Sequence, residues 1–318
     1  MDESPERNHL ILAQEASSES SQKKNDEEAQ AEERLLVTKG SRATNDLALR
    51  QRTILNWSVN NPVADKYRAL YQKAVSRTWN PDSEIDWTGE SELREELKPA
   101  MTRIGTVLYS LELMGLHVIS TMMERARRKF QDENMGYYLT TQCADEARHV
   151  YVIENYFRKV NVPLVHERLA QVLGNVAHLG PYRVENWLFS TLFSEIFAST
   201  FLQYCLDSKI DDLGKEAFRN ILRDEARHVG FIDLALKDTT ADLSFLGRNY
   251  VKLAQMTLMR LSGFGLRRLR EDASVIGVDA KDMVEMVFDR LEKEYEEIGF
   301  RDIDVEKMRK IVRRSFEK

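Results

Sequence analysis

The pentapeptide Asp-Glu-Ala-Arg-His occurs twice in this chain of 318 residues, at Asp145–His149 and again at Asp224–His228. Chance is a weak explanation for a repeat of five residues, so the two segments are treated as related. Each copy contains Glu-x-x-His. Because positions three apart lie on one face of an α-helix, the glutamate and the histidine of each copy point the same way. A carboxylate and an imidazole one turn apart form a metal-binding pair.

The composition favours an all-α fold. Glycine and proline are scarce, with 14 and 6 residues, and 42% of the chain is hydrophobic, enough for one large core or two modest domains. The formal net charge of −6 and the lack of a large basic patch argue against a nucleic-acid partner. Only Cys143 and Cys205 are present, which excludes a disulfide framework and a four-cysteine iron–sulfur cluster.

The N-terminus is polar and acidic, without an apolar signal core, and the chain has no run of about 18 apolar residues. We therefore expect a cytoplasmic protein with no membrane contact. The chain also lacks a flavin or nicotinamide fingerprint. Electrons for any redox reaction must therefore come from another protein, such as a ferredoxin or a reductase.

Four long helices are predicted in the middle of the chain, and the second and fourth carry the repeat. They span about 98–130, 134–160, 181–207 and 213–236. The second ends before Pro163, and the third starts near Pro181, which suits a first helical position. The domain prediction is a disordered polar tail over 1–45, a four-helix bundle with leading helices over 46–244, and a C-terminal helical extension packed on the bundle over 245–318.

Two Glu-x-x-His helices complete a di-metal site when each of the other two bundle helices adds one carboxylate. In the first helix, Glu112 lies among apolar residues, where a charge is costly unless it is paired or bound to metal. Its rival, Glu124, lies in a charged helix end. In the third helix, Glu195 is embedded in an apolar stretch, whereas Glu185 is near the helix start, where the helix dipole favours a carboxylate. Glu112 and Glu195 are therefore preferred.

The predicted metal ligands are Glu112, Glu146, His149, Glu195, Glu225 and His228. Four carboxylates balance the charge of two iron(II) ions, and the set leaves positions for dioxygen. Asp145 and Asp224 precede the ligand glutamates, and each could accept the free N–H of the histidine on the opposite helix. Arg148 and Arg227 could pair with these aspartates. Ser199, one turn after the third-helix glutamate, could relay a proton or could bond to its own helix backbone.

On these residues the chain resembles the ferritin-like di-iron carboxylate superfamily, over roughly residues 98–240. The doubled Asp-Glu-x-Arg-His is similar to the oxygen-activating branch, which includes monooxygenase hydroxylases, acyl-carrier-protein desaturases and arylamine N-oxygenases. In the monooxygenases a threonine stands where this chain has Ser199. The resemblance implies a ferritin-like four-helix bundle with additional N- and C-terminal helices, two iron ions or a manganese–iron pair, dioxygen as co-substrate, an external electron donor and a homodimer.

Two positions depart from relatives in that branch. The radical-generating subunit of ribonucleotide reductase carries a tyrosine four residues past the first histidine, where this chain has Ile153. A stable tyrosyl radical therefore cannot form at that position. Arylamine N-oxygenases carry a third histidine four residues before the last glutamate, where this chain has Ile221. The resemblance therefore implies six ligands here rather than seven.

The resemblance implies a non-haem di-iron oxidase or monooxygenase that hydroxylates, N-oxygenates or desaturates a small apolar or aromatic substrate. The alternative is an iron- or peroxide-handling protein similar to ferroxidases or rubrerythrins. An aromatic line at a spacing of four could border a substrate pocket, although such spacing is more typical of plain core. It consists of Phe189, Phe193, Phe197 and Phe201.

Overall fold

The computed structural model describes residues 62–165 and 183–317. Within these ranges it contains helices and no strand, which confirms the predicted all-α fold. The helices are α1 Pro62–Ser76, α2 Pro81–Glu84, α3 Lys98–Phe130, α4 Glu133–Lys159, α5 Val184–Leu206, α6 Asp212–Ala241, α7 Phe245–Ile276, α8 Ala280–Ile298 and α9 Val305–Glu317.

Helices α3 to α6 correspond to the four predicted helices. The ends of α3 match the prediction, and α4 differs by one residue at each end. Helix α6 continues five residues past the predicted end at Leu236, because no glycine or proline interrupts it before its cap at Asp242. Pro181 and the predicted tail over 1–45 lie outside the described residues, and α5 begins at Val184.

Each of the two helices that carry the repeat begins after an aspartate. The Asp132 side chain accepts a hydrogen bond from the Asn134 N–H at 2.8 Å, and the Asp211 side chain accepts one from the Gly214 N–H at 3.0 Å. Both bonds satisfy N–H groups that have no partner inside the helix. The caps therefore fix the residues at which α4 and α6 begin. The starting residue in turn helps to set which face each helix presents to the bundle.

The four central helices pack as two pairs, α3 against α4 and α5 against α6, each joined by a short connection. Helix α4 also contacts α6, and α3 contacts α5, so all four helices enclose one interior. Helix α1 packs on α4, α7 on α3 and α8 on α5, while α9 packs on α7. Additional helices thus precede and follow the four helices of the ferritin-like bundle along the chain.

By length and composition alone, the segment Glu95–Phe130 is also apolar enough to cross a membrane. Its most apolar 18-residue stretch is 39% buried in the protein. The core helix of a bundle meets the same criteria. Helix α3 carries the buried Glu112 near its middle and packs along α4, as expected of a bundle helix. The absence of membrane contact stays a prediction.

The α3–α4 contact depends on a glycine. A Cβ added at Gly105 would lie 1.9 Å from Cζ of Phe157, whose ring is 1% exposed. We expect Gly105→Ala to lower the free energy of unfolding by about 1–3 kcal/mol, because the extra methyl group overpacks the contact between the two helices. Urea denaturation of the metal-free protein measures the change.

Two further variants control for helix propensity and for the contact itself. Nothing lies within 4 Å of a Cβ added at Gly230 in α6, so Gly230→Ala should raise the stability by about 0.5–1 kcal/mol. Adding Phe157→Leu to Gly105→Ala should cost less than the sum of the two single changes. A Gly105→Ala protein as stable as the wild type would show that the two helices do not approach this closely.

Candidate metal centre

The six predicted ligand side chains converge in the interior of the bundle. Helices α3 and α5 each provide one glutamate, and α4 and α6 each provide one Glu-x-x-His pair. Every one of the six residues is buried, with at most 7% of its surface exposed. They are Glu112, Glu146, His149, Glu195, Glu225 and His228. Such a concentration of buried carboxylates requires positive charge beside it.

Two groups of ligand atoms form within this set, and each lies within a span of 4.8 Å. One comprises Glu112, Glu146 and His149, and the other comprises Glu146, Glu195 and His228. Glu146 belongs to both groups and would therefore be shared between two ions.

Glu225 also reaches both halves of the centre. Its Oε1 lies 3.4 Å from Nδ1 of His149, and its Oε2 lies 3.3 Å from Nδ1 of His228. Nδ1 of His149 lies 3.1 Å from Oε2 of Glu112. In both histidines, Nδ1 therefore faces the carboxylates and leaves Nε2 for an outer partner. Glu225 is thus the second carboxylate that two ions would share.

The donor set fits two divalent metal ions. Nδ1 of His228 and Oε2 of Glu225 are buried and have no hydrogen-bond partner, although both point into the ligand cluster. Bound metal ions would satisfy both atoms. The four carboxylates carry four negative charges, which two divalent ions cancel, while two outer aspartates and two outer arginines cancel each other. Carboxylate and imidazole ligands suit iron and manganese.

The protonation of these groups reflects the same demand for positive charge. Burial, followed by the repulsion of Glu195, raises the pKa of Glu146 well above its usual range, and burial and Glu225 do the same to the pKa of Glu195. Burial opposes ionisation of Glu225, but its close polar contacts with Glu195 and His228 hold its pKa at about 2. Metal ions would displace protons from this cluster, so metal affinity falls in acid.

The two aspartates of the repeat lie across the bundle from their own histidines. Oδ2 of Asp224 is 3.2 Å from Nε2 of His149, and Oδ2 of Asp145 is 3.4 Å from Nε2 of His228. Burial alone would raise the pKa of Asp224, but hydrogen bonding to His149 and the charges around it hold the pKa far below the usual range. The aspartates therefore stay ionised and fix the tautomer of each histidine.

The arginines of the repeat join the two aspartates. Arg227 donates to Asp145 at 2.9 Å and to Asp224 at 2.6 Å. Arg148 donates to Asp224 at 3.0 Å and forms a second, shorter bond with Asp145. All four charged groups are nearly excluded from solvent. The duplicated sequence therefore forms one crossed network of ion pairs between α4 and α6.

Trp79 belongs to this network, which sequence reasoning missed. Its indole N–H donates to Oδ2 of Asp224 at 2.8 Å, and the Arg148 guanidinium lies over its ring at 5.1 Å. Nothing in the sequence links a loop tryptophan to an aspartate 145 positions away.

The Ser199 hydroxyl donates to the Glu195 carbonyl oxygen at 2.7 Å, which is the backbone bond that the sequence left open as an alternative. It also accepts a hydrogen bond from Arg290 of α8 at 3.0 Å. Arg290 donates to the neighbouring Thr200 hydroxyl as well, at 2.7 Å. These bonds commit the Ser199 proton to the helix and tie α8 to α5 beside the centre.

A second glycine lies against the ligands. A Cβ added at Gly115 of α3 would lie 2.9 Å from Oε2 of Glu146. A glycine inside a helix costs about 1 kcal/mol relative to alanine, so the space it provides is a physical reason for its presence.

In the aromatic line, Phe189 packs on Tyr295 and Phe300 with ring centroids 5.7 and 4.7 Å apart. That end of the line is therefore core rather than pocket.

The rejected glutamates lie elsewhere. The Glu124 side chain is 50% exposed and pairs with Arg127 and Arg128. Glu185 is buried, but it pairs with Lys129 and so ties the start of α5 to the end of α3. Ile221, at the position where arylamine N-oxygenases carry a third histidine, is fully buried in the core.

Comparison with known proteins adds a family and a fold. The family model described as p-aminobenzoate N-oxygenase AurF matches residues 109–304, which is more than half of the 318 residues and includes all six ligand candidates. A solved structure, protein 19 with aldehyde deformylating oxidase activity from Synechococcus, is 19% identical, with a TM-score of 0.56, over 70% of this chain and 98% of that chain. This likeness concerns the fold.

An R2-like ligand-binding oxidase is 17% identical over 81% of this chain and 92% of that chain, with a TM-score of 0.45. No curated protein matches this chain.

Proposed function

The chain belongs to the p-aminobenzoate N-oxygenase family and is a non-haem di-iron oxidoreductase, and we propose that it oxygenates the amino nitrogen of a small arylamine. The observation that carries this proposal is that the family match spans a buried ligand set suited to two metal ions. Of the three reactions open from the sequence, which were hydroxylation, N-oxygenation and desaturation, only N-oxygenation is named by the matched family.

In the proposed reaction, an arylamine, dioxygen, two electrons and two protons give an N-arylhydroxylamine and water. The amine nitrogen loses two electrons, and an external donor supplies the other two that dioxygen needs. Bound iron ions supply the redox chemistry that links donor, dioxygen and substrate. The chain has only Cys143 and Cys205 and no flavin or nicotinamide motif, so a ferredoxin or a reductase is the proposed donor.

The protein's own residues would bind the metal ions and exclude water from the centre. Four helices supply the six ligands, and a bundle interior from which water is nearly excluded strengthens every electrostatic interaction there. Asp145 and Asp224 keep the outer nitrogen of each histidine as the donor, so that Nδ1 is free to bind metal. Arg148 and Arg227 neutralise both aspartates without entering the ligand set.

The test is product formation with labelled dioxygen. Protein loaded with iron(II) is supplied with p-aminobenzoate or another small arylamine, ferredoxin, ferredoxin reductase, NADH and ¹⁸O₂. We expect a hydroxylamine product that carries one labelled oxygen atom, detected by mass spectrometry. Omitting ferredoxin should limit the yield to about one product per reduced centre, since the chain has no means of its own to take electrons from NADH.

Two results would count against the proposal. Rapid oxidation of iron(II) without a labelled product from any arylamine would favour the iron-handling alternative. Sustained turnover with NADH and the purified chain alone would contradict the need for a separate donor. The Glu124→Ala protein is the matched control, because its exposed glutamate lies on α3 away from the centre and the variant should retain wild-type product yield.

A further inference from the structure

A buried glutamine borders the metal centre and has a free acceptor. Gln142 lies in α4, one turn before Glu146, and is 1% exposed. Its Nε2 donates to Oε1 of Glu195 at 3.2 Å. Its Oε1 is buried and has no hydrogen-bond partner. A buried amide oxygen without a partner costs free energy, which points to a group that the oxygen receives during function.

The chemistry of Glu195 fixes which end of the amide is free. A metal-bound carboxylate can only accept hydrogen bonds. The amide nitrogen of Gln142 must therefore face Glu195, because the flipped amide would place two oxygens against each other. The group left beside the centre is thus an acceptor, and a substrate must bring a donor to satisfy it.

Other orphan atoms at the centre have a different explanation. Nδ1 of His228 and Oε2 of Glu225 also lack hydrogen-bond partners, but both belong to the ligand set and face the ion positions. Gln142 is not one of the six predicted ligands, and its amide nitrogen is already bonded to Glu195. Its neutral amide adds no charge to a ligand set that two divalent ions already balance. The free oxygen of Gln142 therefore remains for a molecule other than the metal.

We propose that Gln142 recognises the substrate, with its amide oxygen accepting an N–H of the arylamine while its amide N–H₂ holds Glu195. This inference rests on the proposed function and restricts the substrate class to arylamines that carry at least one N–H. The same acceptor suits the N-arylhydroxylamine formed from a primary amine, which keeps an N–H, and it has nothing to hold in a tertiary amine. Gln142 is thereby a specificity residue at the reacting nitrogen.

The experiment measures binding rather than turnover. Iron(II)-loaded protein is dialysed to equilibrium without oxygen against p-aminobenzoate, p-(methylamino)benzoate or p-(dimethylamino)benzoate. The readout is the ratio of the Kd for the dimethylamino compound to the Kd for the amino compound. We expect the wild type to prefer both compounds with an N–H, and we expect Gln142→Met to lower the ratio about five- to tenfold, the value of one hydrogen bond.

Two variants test the Gln142 amide, and a third variant is a control. Gln142→Met keeps the length of the side chain and removes both hydrogen bonds. Gln142→Glu keeps an acceptor for the substrate and replaces the amide donor by a carboxyl group, which must be protonated to lie against Glu195. A Gln142→Glu protein that holds two irons should therefore retain the preference for N–H compounds. Gln255→Leu is the matched control, since Gln255 is also fully buried with an unpartnered Oε1, but its Nε2 contacts Ser190 instead of a ligand. Its ratio should equal that of the wild type.

Several outcomes overturn the inference. A wild-type ratio near one would do so even if Gln142→Met does not fold, and so would an unchanged ratio in a Gln142→Met protein that holds two irons. Loss of iron in that variant with an unchanged ratio would show that Gln142 only positions Glu195. These failures differ from failure of the proposed function, in which the wild type gives no oxygenated product from any arylamine.

Discussion

Replacing Glu225 by alanine is expected to remove both metal ions and to abolish oxygen consumption. Glu225 is the carboxylate whose two oxygens face both histidines, at 3.4 Å from Nδ1 of His149 and 3.3 Å from Nδ1 of His228. Its pKa of about 2 keeps it ionised throughout the physiological range. Removing a group that is only hydrogen-bonded to a metal ligand lowers metal affinity about 10- to 100-fold. Removing Glu225 itself should lower metal affinity by more than that.

The measurement is the metal content per chain after gel filtration of reconstituted protein, followed by oxygen uptake with reductant. Glu124→Ala is the matched control, because it removes a glutamate that is half exposed and bound to arginines on the same bundle. It should hold two irons and consume oxygen like the wild type. A Glu225→Ala protein that keeps two irons would mean that these side chains do not share a di-metal centre.

The second large effect is expected at Asp224. This side chain is fully buried and accepts hydrogen bonds from Trp79 at 2.8 Å, from Arg148 at 3.0 Å and from Arg227 at 2.6 Å. Removing one partner of a buried ion pair leaves uncompensated charge, which typically costs about 3–5 kcal/mol. Asp224→Ala should lower the free energy of unfolding of the metal-free protein by that amount.

Metal binding should weaken in the same variant. Nε2 of His149 would lose the acceptor that fixes its tautomer, so metal affinity is expected to fall about 10- to 100-fold. Urea denaturation measures the stability, and competition with a chelator measures the affinity.

Glu154→Ala is the matched control, because this exposed glutamate pairs with Arg158 on the surface of α4 and should change the stability by no more than about 0.5 kcal/mol. Equal stabilities for the two variants would mean that the buried network is not held together by charge.

The chain matches an arylamine N-oxygenase family but differs from the expected ligand set of that family at position 221. Ile221 lies where the resemblance implies a third histidine, and it is fully buried among apolar side chains. Six ligands with four carboxylates still balance two divalent ions in charge. The proposed reaction therefore depends on the six-ligand set, and the ¹⁸O₂ experiment decides whether that set suffices.

Local signals in the sequence located the helices and the duplicated pairs. A helix brings positions three apart to one face whatever the rest of the chain does, so each Glu-x-x-His pair could be read directly. Glu112 and Glu195 could be chosen because a charge in an apolar stretch needs a compensating partner. Pro163 placed the end of α4 to within one residue. Helix α5 begins at Val184 rather than near Pro181, and α6 runs past its predicted end because Thr239 and Thr240 continue the helix.

The contacts between distant segments could not be read in this way. Trp79 and Asp224 are 145 positions apart, and Gln142 and Glu195 are 53 apart. A tryptophan in a loop and a glutamine in a helix are ordinary residues in sequence, and neither has a spacing that indicates its partner. The same holds for Gly115, whose role depends on where the carboxylate of Glu146 lies in the neighbouring helix.

An all-α chain with two helical Glu-x-x-His pairs and four carboxylates for two metal ions could be predicted from the residues alone, because helical periodicity and the cost of a buried charge act locally. The packing of the helices was needed to show which aspartate meets which histidine, that Ser199 is bonded to its own helix, and that a glutamine beside the centre has a free acceptor. Those relations depend on how four helices are set against one another, and that arrangement is a property of the whole packed core.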